Sequence, residues 1–453
     1  MLNQTKSESL TKVFDALYPA GHSNFRGKLN AGKTKLFACR AQGSHVFDVD
    51  GNEYIEYNGA MGPVLLGHRH PEYIKALKDY LDTETTIYGT NLLYNENDIA
   101  LAELLIKHIP CAEEVKFCVT GSEAVQMLFR IARARTGRPR ILRFGEMYHG
   151  WMDNVMDCVA REGTDYSELP LPADTPPDHF QFTEGRSPWT VEESLVLPFN
   201  DIEAVETVME KYHDEIALVF MEPMVSDAFC MHPLPGYLER IRELCDQYGV
   251  IMGFDEIITG FRLGLGGAQE YLGVMPDVCT LGKSISGGLP FSAIVGRKDV
   301  MDVFREKMVM GAGTYNGYGL GVMASLTAIR LYERDGGAML KNIYRIQDRL
   351  SDGMLEVAER NGVPLTITEA PGVFYTIFGV KGGREKPTDL GIVENLDREF
   401  YDLFRFYLMH EGVVVMANCR WFIGGSHTDE DVDKTLVAFE NALIKAKTEL
   451  GRY

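Results

Sequence analysis

Two residues that could do chemistry together lie at the ends of two apolar runs in the middle of the chain. The run V-I-M-G-F ends on a carboxylate, Asp255, and a second apolar run ends, after one glycine, on an amine, Lys283. If both runs are buried parallel strands, the acid and the amine reach the same edge of a sheet, where open α/β sheets place their ligands. A lysine in such a site can lose its proton and form a Schiff base with a carbonyl compound.

A third candidate is the turn T-G-S-E-A at residues 120–124. The pattern predicts a strand that ends before Gly121 and a helix that starts at Ser122. Free N–H groups and the helix dipole at such an end favour an anion such as phosphate. A plain serine cap explains the same residues when they are taken alone. Phosphate binding is preferred because the helix belongs to the same predicted sheet as Asp255 and Lys283.

Two consecutive acids, Asp255 and Glu256, follow the first buried run. Buried carboxylates are costly unless a positive group meets them, and a protonated pyridine nitrogen is such a group. The acid, the amine and the anion-binding turn together outline one ligand, pyridoxal 5'-phosphate (PLP). Taken singly, Asp255 also fits a strand-end cap or salt bridge, and Lys283 fits a surface lysine at a strand end better than a catalytic one.

Two nucleotide-binding motifs fail in the same region. G-K-S at 282–284 resembles the end of a Walker A loop, but Asp277 stands where that loop needs a glycine. G-L-G at 264–266 starts a dinucleotide fingerprint, but Gln269 replaces the third glycine and no strand precedes it. We expect no metal, since the pair His68 and His70 has no evident third ligand and suits a turn better.

The elements that must position these residues follow from hydrophobic periodicity. From about residue 98, helices alternate with short apolar runs, which predicts a mostly parallel sheet with helices on both faces. The acidic, proline-rich stretch 152–196 is predicted to be a functional or mobile loop. The predicted domains are an N-terminal segment, 1–70, which packs with the small domain, a large ligand-binding domain, 71–335, and a small α+β domain, 336–453.

Composition excludes several classes of protein. The net charge of −20 argues against a nucleic-acid partner, because phosphates would be repelled. The eight cysteines form no C-x-x-C pair and predict reduced thiols in a cytoplasmic protein. The N-terminus lacks the apolar region of a secretory signal, and no apolar segment is long enough to span a membrane.

The chain resembles the class III aminotransferases of PLP fold type I, and most of all the glutamate-1-semialdehyde aminomutase branch. The order and spacing of the matching segments agree over nearly the whole chain. The segments are G-P-V-L-L-G-H-R-H-P (62–71), T-G-S-E-A (120–124), Y-H-G (148–150), F-D-E-I-I-T-G-F-R (254–262), P-D-V-C-T-L-G-K (276–283), G-G-L-P (287–290), G-R-K-D-V-M (296–301) and H-T-D-E-D-V-D (427–433). The resemblance implies a seven-stranded, mostly parallel sheet between helices, plus a smaller α+β domain from the N- and C-terminal segments.

The resemblance also implies a role for each residue of the cofactor site. Lys283 would form the Schiff base and move the proton, while Asp255 would pair with the pyridinium nitrogen. The other implied cofactor contacts are Thr120, Gly121 and Ser122 at the phosphate, Tyr148 and Ile257 on the two ring faces, Glu222 near the ring oxygen, and His149 of the Y-H-G motif. Thr314 corresponds to a threonine that reaches the partner subunit's phosphate, which implies a homodimer with the sites at the interface.

Substrate residues are predicted in three regions. Arg26 stands where aminomutase-like members place an arginine for the substrate carboxylate, and a guanidinium fork suits that contact. Arg420 is a second candidate for a carboxylate, and Tyr88 and Trp151 are candidates to contact a bulky substrate. A surface arginine is the alternative for Arg26.

Four departures weaken the assignment to the aminomutases themselves. Met61 replaces a tryptophan, Cys419 replaces an acid, the stretch 152–196 replaces a small-residue gating loop, and 317–319 replaces G-N-P. All four surround the substrate or the interface. We therefore predict an aminotransferase that moves an amino group from an amino acid to an oxo acid or aldehyde through a pyridoxamine form. The alternatives are a 2,1-aminomutase and, third, an amino acid racemase or epimerase.

Overall fold

Strands and helices alternate through most of the chain. The structure is a computed structural model that describes residues 2–18, 34–83, 93–156, 185, 187, 190, 193–417 and 420–453. Its helices are α1 (Thr5–Leu17), α2 (Pro71–Leu81), α3 (Glu96–His108), α4 (Gly121–Thr136), α5 (Ile202–Tyr212), α6 (Tyr237–Tyr248), α7 (Gly267–Leu272), α8 (Lys298–Met301), α9 (Val303–Glu306), α10 (Gly319–Arg360), α11 (Arg398–His410) and α12 (Asp429–Leu450). Short 3-10 helices span Lys283–Ser286 and Gly391–Val393.

The strands form three sheets. They are β1 (Ala38–Gln42), β2 (His45–Asp48), β3 (Glu53–Glu56), β4 (Glu114–Cys118), β5 (Arg140–Phe144), β6 (Ser194–Leu197), β7 (Ile216–Met221), β8 (Ile251–Glu256), β9 (Val278–Leu281), β10 (Ser292–Gly296), β11 (Leu365–Ala370), β12 (Val373–Phe378), β13 (Arg384–Glu385), β14 (Val413–Val414) and β15 (Arg420–Phe422). The sheet orders are β1-β2-β3-β14, β4-β10-β9-β8-β7-β5-β6 and β13-β11-β12-β15.

The seven-stranded sheet confirms the predicted fold class. The five neighbouring strands β6, β5, β7, β8 and β9 pair in parallel. In this sheet only β10 runs antiparallel to its neighbours, β9 and β4. Strands β7, β8 and β9 are buried at every residue, as the continuous apolar runs predict for strands covered on both faces. Strand β6 overlaps the end of the stretch predicted to be a loop, 152–196, because its S-L-V-L run pairs with β5.

Helix α4 covers one face of this sheet and starts at its edge. Thr120 caps the helix, and its side chain forms a capping box with Glu123. The buried face of α4 packs against β7 and β10 in one apolar cluster, which includes Leu128, Phe129 and Phe220. Fully burying each such side chain contributes about 1.5–3 kcal/mol, so this face holds the helix against the sheet.

The chain separates into two compact units, residues 1–74 with 338–453 and residues 75–337. The seven-stranded sheet lies in the second unit. The first unit holds both four-stranded sheets, and its core includes an aromatic group around Phe378, Phe400 and Phe404. One boundary falls where α10 is interrupted at 334–337, since Asp335, Gly336 and Gly337 adopt positive φ there. Within the described residues, no helix combines the length and apolarity that crossing a bilayer requires.

Candidate functional site

Three neighbouring strands deliver polar side chains to one edge of the seven-stranded sheet. Asp255 of β8 lies opposite Thr280 of β9, and Lys283 follows β9 after one glycine. On the other side of β8, Met221 pairs with Phe254, which brings the next residue, Glu222, level with Asp255. The sheet register therefore places an amine and two acids beside each other.

Asp255 is a buried carboxylate with a fixed orientation. Its side chain is 3% exposed, and Oδ2 lies 2.7 Å from Nδ1 of His149, whose own side chain is fully buried. Oδ1 accepts hydrogen bonds from the backbone N–H of Ile257 at 3.1 Å and from the hydroxyl of Thr280 at 3.3 Å. The carboxylate is thus held in place to meet a positive group of a ligand.

The neighbouring acid, Glu256, points to the opposite face of β8 and serves the protein itself. Its carboxylate accepts hydrogen bonds from the N–H of Ala268 at 2.6 Å, from Nε2 of Gln269 at 2.9 Å and from the hydroxyl of Thr259 at 3.1 Å. Burial raises the pKa of Glu256, and these donors oppose the shift. Of the two consecutive acids, only Asp255 is therefore available to a cation at the sheet edge.

Lys283 is held on an unusual backbone. Its φ is 44°, a left-handed value that costs a residue with a Cβ about 1–2 kcal/mol. The next residue is fixed on both sides, because Ser284 Oγ donates to the carbonyl of Gly260 at 2.8 Å and Tyr332 donates to the carbonyl of Ser284 at 2.7 Å. These bonds hold the lysine in a strained conformation, a feature that is common at functional sites.

Glu222 is 3% exposed and sits at the end of β7. Oε2 accepts a hydrogen bond from the N–H of Ser226 at 3.0 Å, whereas Oε1 is buried without a hydrogen-bond partner among the described residues. Burial raises the pKa of Glu222 well above its usual range, the charges of Asp227 and Asp255 raise it further, and Lys283 lowers it. The raised pKa favours the protonated form of Glu222, which can donate a hydrogen bond.

The N-terminus of α4 retains free N–H groups for an anion. The hydroxyl of Thr120 accepts from the N–H of Glu123 at 3.3 Å, so the capping box does not use the N–H groups of Gly121 and Ser122. The carboxylate of Glu123 turns back to the N–H groups of Thr120 and Val119, at 2.9 and 3.1 Å. These N–H groups lie where the sequence predicts the phosphate-binding turn.

Ile257 joins the phosphate-binding turn to the lysine segment. A Cβ added to Gly121 would lie 3.1 Å from Cδ1 of Ile257, and one added to Gly282 would lie 2.8 Å from the same atom. The glycine before Ser122 and the glycine before Lys283 thus both pack against the residue predicted to lie on one ring face. The structure brings these predicted site residues together.

The loop after β5 carries two further predicted residues, Tyr148 and Trp151, on either side of Gly150. Tyr148 is half-buried, and its pKa is raised by burial and by the charges of Asp227 and Asp255. Gly150 has a φ of 105°, and a Cβ there would lie 2.5 Å from Oγ of Ser122, so only glycine allows this approach. Trp151 is 66% exposed, so the indole is open to solvent in this chain.

The remaining predicted residues lie elsewhere. Thr314 is exposed in a turn of the larger unit. Arg420 lies in the smaller unit, where its guanidinium packs over the rings of Phe422 and Tyr375 at 5.0 and 5.8 Å. Arg26 and Tyr88 lie outside the described residues.

Some features of the site were not predicted from the sequence. The contact of His149 with Asp255 joins residues 106 positions apart, and no local pattern predicts it. The hydroxyl of Thr280 is 25 positions from Asp255, and only the strand register reveals their contact. Asp227 acts on both Tyr148 and Glu222, although it follows the strand end in an ordinary polar turn.

The arrangement fits PLP in each of its parts. A fixed buried carboxylate suits the ring nitrogen, a lysine on the next strand suits the aldehyde, and the N-terminus of α4 suits the phosphate. The unpartnered Oε1 of Glu222 adds a buried polar atom that a ligand oxygen would satisfy. Sequence and structure therefore indicate the same cofactor.

Comparison with known proteins agrees with this cofactor. The family model for class III aminotransferases matches residues 28–396. Glutamate-1-semialdehyde 2,1-aminomutase of Rhodopirellula baltica is 34% identical over 443 residues, 97% of this chain and 96% of that protein. Glutamate-1-semialdehyde 2,1-aminomutase 2 of Brevibacillus brevis is 32% identical over 451 residues, 98% of this chain and 100% of that protein.

Among solved structures, an omega-transaminase from Sphaerobacter thermophilus superposes with a TM-score of 0.86 at 28% identity, over 97% of this chain and 98% of that one. The family match covers most of the chain, and the relatives cover nearly all of it. The predicted fold, cofactor and enzyme class are thereby confirmed. The chain belongs to the class III aminotransferases, which are PLP-dependent enzymes.

Proposed function

We propose that Lys283 and Asp255 are the catalytic residues of an amino-transfer reaction. Lys283 is the amine that holds the cofactor aldehyde and then carries the substrate proton, and Asp255 keeps the ring nitrogen protonated. Bound PLP supplies an electron sink for the charge that forms when that proton leaves. The single observation that carries this proposal is the pairing of β8 with β9, which sets Asp255 opposite Thr280 and brings Lys283 to the same edge.

The other residues of this edge hold the cofactor in one orientation. The N–H groups of Gly121 and Ser122 and the hydroxyl of Thr120 bind the phosphate. Tyr148 covers one face of the ring, and Ile257 covers the other from its place against Gly121 and Gly282. This enclosure excludes water from the amine and the acid.

Two buried groups adjust the ring's surroundings. Glu222, whose pKa is raised by burial, would in its protonated form donate a hydrogen bond to the ring oxygen. His149 fixes the carboxylate of Asp255 from behind, so that the other lone pairs face the ring nitrogen. Both roles require polar atoms in a site that solvent does not reach, which strengthens each hydrogen bond.

For the substrate, the relatives favour transfer within one molecule. Both bacterial relatives carry the name of a 2,1-aminomutase, at 32% and 34% identity over nearly the whole chain. We infer that the chain moves an amino group between the adjacent carbons of glutamate 1-semialdehyde or a similar amino aldehyde. This places the aminomutase, the alternative of the sequence analysis, ahead of the intermolecular aminotransferase.

A specific observation keeps the intermolecular aminotransferase as a second candidate. The omega-transaminase from Sphaerobacter thermophilus has a TM-score of 0.86 with 28% identity. Met61 and Cys419 also depart from the aminomutase pattern next to the predicted substrate site. In this second function Arg26 and Arg420 would bind substrate carboxylates, with Tyr88 and Trp151 against the rest of the substrate.

A product assay distinguishes the two functions. The PLP-loaded protein is incubated with glutamate 1-semialdehyde alone, and in parallel with amino donors plus oxo acid acceptors. An aminomutase converts the semialdehyde into its isomer 5-aminolevulinate without an acceptor. An aminotransferase gives stoichiometric new amine and oxo acid only in the second mixture. Inverted stereochemistry without either product would indicate a racemase and would refute both.

We also propose a homodimer in which Thr314 of one subunit reaches the phosphate bound by its partner. The exposure of Thr314 in a single chain supports this assignment. Sedimentation equilibrium should give twice the 50.8 kDa mass of the chain. A Thr314→Ala dimer should bind PLP more weakly, and a fully active monomer would refute the shared site.

A cytoplasmic location is proposed because the described cysteines are free thiols and mostly buried.

A further inference from the structure

Glu146 occupies a strained turn directly before the residues that reach the cofactor site. It follows β5 and precedes Tyr148 by two residues. Its φ is 66°, a left-handed value that a residue with a Cβ rarely adopts. The residue before it is fixed, because the N–H of Gly145 donates to the carbonyl of Leu197 at 2.8 Å. The proposed reaction assigns no role to a carboxyl group at position 146.

The carboxyl group of Glu146 lies beside an aromatic cluster. The rings of Phe144, Phe199 and Tyr237 pack on one another with centroid distances of 5.1–6.2 Å. The N–H of Phe199 donates a hydrogen bond to the carboxyl group, and Oε2 is buried without a hydrogen-bond partner in the described part of the chain. Among the described residues, no lysine or arginine pairs with Glu146. An ionised carboxylate in these surroundings is poorly compensated.

Burial raises the pKa of Glu146 to about 7, and only the N–H of Phe199 opposes the shift. The titratable groups nearby are the hydroxyl of Tyr237 on α6 and Asp201, which acts on that hydroxyl from the segment after β6. Burial raises the pKa of Tyr237, so the phenol stays neutral. Glu146 is therefore the group in this cluster that changes charge near neutral pH.

The residues that follow Glu146 connect it to the proposed catalytic groups. The sulfur of Met147 accepts a hydrogen bond from the N–H of Glu222 at 3.2 Å. Two residues further on, His149 contacts Asp255 at 2.7 Å. Met147 and His149 are one and three residues from Glu146. A shift of the backbone at Glu146 therefore changes their contacts with Glu222 and Asp255.

We propose that Glu146 is a positioning residue that couples its own ionisation to the conformation of the loop carrying Tyr148 and His149. The neutral carboxyl group stays in the aromatic cluster and holds the loop as the structure shows it. The ionised group is drawn towards water, and the left-handed backbone at this residue loosens with it. The enzyme would thus hold its cofactor less tightly as the pH rises through 7.

Hydrogen–deuterium exchange of the loop in the cofactor-free protein tests the coupling directly. The opened loop has an ordinary carboxyl pKa of 4.5, against about 7 when closed, so opening is linked to proton release. Peptides covering 145–156 should exchange about tenfold faster at pH 8 than at pH 6, after correction for the intrinsic rate. Peptides from β7 and β8 should show no such change.

Matched variants separate the carboxyl group from general effects of pH. Glu146→Gln should make loop exchange independent of pH, whereas Glu203→Gln, an exposed acid in the first turn of α5, should behave as wild type. Glu146→Gly is a second variant that removes the carboxyl group and also suits the positive φ. A flat wild-type profile, or an unchanged pH response in either Glu146 variant, would overturn the proposal.

The link to the cofactor rests on the proposed function and has its own measurement. Pyridoxamine 5'-phosphate is titrated at pH 6 and pH 8, since it binds the same pocket without a covalent bond to the protein. The wild-type dissociation constant should rise several-fold at pH 8, and that of Glu146→Gln should not. Constant affinity with pH-dependent exchange would overturn only the link to the cofactor. Absence of binding at both pH values would instead contradict the proposed function.

Discussion

The imidazole Nδ1 of His149 lies 2.7 Å from Oδ2 of Asp255, and the two side chains are only 0% and 3% exposed to solvent. This contact fixes the carboxylate that is proposed to meet the cofactor's ring nitrogen. His149→Ala should therefore raise the dissociation constant for PLP about 10- to 100-fold, the usual effect of losing a hydrogen bond to a buried charge. Spectroscopic titration measures it. His213→Ala, which removes a partly exposed histidine, should bind as wild type, and equal affinities for all three proteins would contradict the role of His149.

Lys283→Ala should abolish amino transfer while leaving the protein folded. Loss of the amine removes both the covalent attachment of PLP and the proton carrier, so turnover should fall by about 10³-fold or more. Substrate turnover and the visible spectrum of the purified protein measure the two losses. Lys298→Ala, at an exposed lysine on α8, serves as the control. Retention of both turnover and the visible band in Lys283→Ala would refute the central assignment.

Glu222→Gln should change the pH dependence of stability in a defined direction. Burial raises the folded-state pKa of Glu222 above its ordinary value of 4.5. The stability that this group contributes is therefore fully present below pH 4.5 and is lost as the pH rises through the folded-state pKa. The glutamine variant lacks this loss, so its stability relative to wild type should increase with pH.

Urea unfolding between pH 5 and pH 8 checks this prediction, with Glu203→Gln as an exposed control whose difference from wild type stays constant. A stability difference between Glu222→Gln and wild type that stays constant or decreases with rising pH would contradict a raised pKa at Glu222.

Gly282→Ala should destabilise the protein through one atom of Ile257. The new Cβ would lie 2.8 Å from Cδ1 of Ile257, and overpacking of this kind costs about 1–3 kcal/mol. Ile257→Val removes Cδ1, so the double variant should be more stable than the sum of the two single changes predicts. A double-mutant cycle on the free energy of unfolding should give a coupling of about 1 kcal/mol. If the two changes in the free energy of unfolding are strictly additive, Cδ1 of Ile257 is not the atom that the new methyl group displaces.

The residues that follow buried strands were predictable from sequence. Asp255 and Lys283 end apolar runs, and the buried parallel strands β8 and β9 bring both to one edge. The start of α4 was predicted to within one residue: the sequence placed it at Ser122, whereas the helix begins at Gly121 with Thr120 as its cap. These features depend on short-range patterns that a single chain displays directly.

Contacts between distant segments were not predictable. The sequence gives no reason to expect that β10 inserts antiparallel between β4 and β9, since either direction satisfies the same apolar pattern. Nor does it show that Glu256 faces α7, because two consecutive acids on a strand look alike until the register assigns each to a face. Strand β6 was missed since it begins within the polar, proline-rich stretch 152–196 and is only four residues long.

The left-handed backbone of Lys283 implies that the proposed reaction and thermal robustness make opposite demands on this position. Glycine adopts a φ of 44° without steric penalty, so Lys283→Gly should relieve the strain that Ser284 and Tyr332 now maintain. Selection of a variant library for thermal stability alone would thus enrich Lys283→Gly, which is expected to be inactive. Efforts to stabilise this enzyme should keep Lys283 constant and select for turnover at every round.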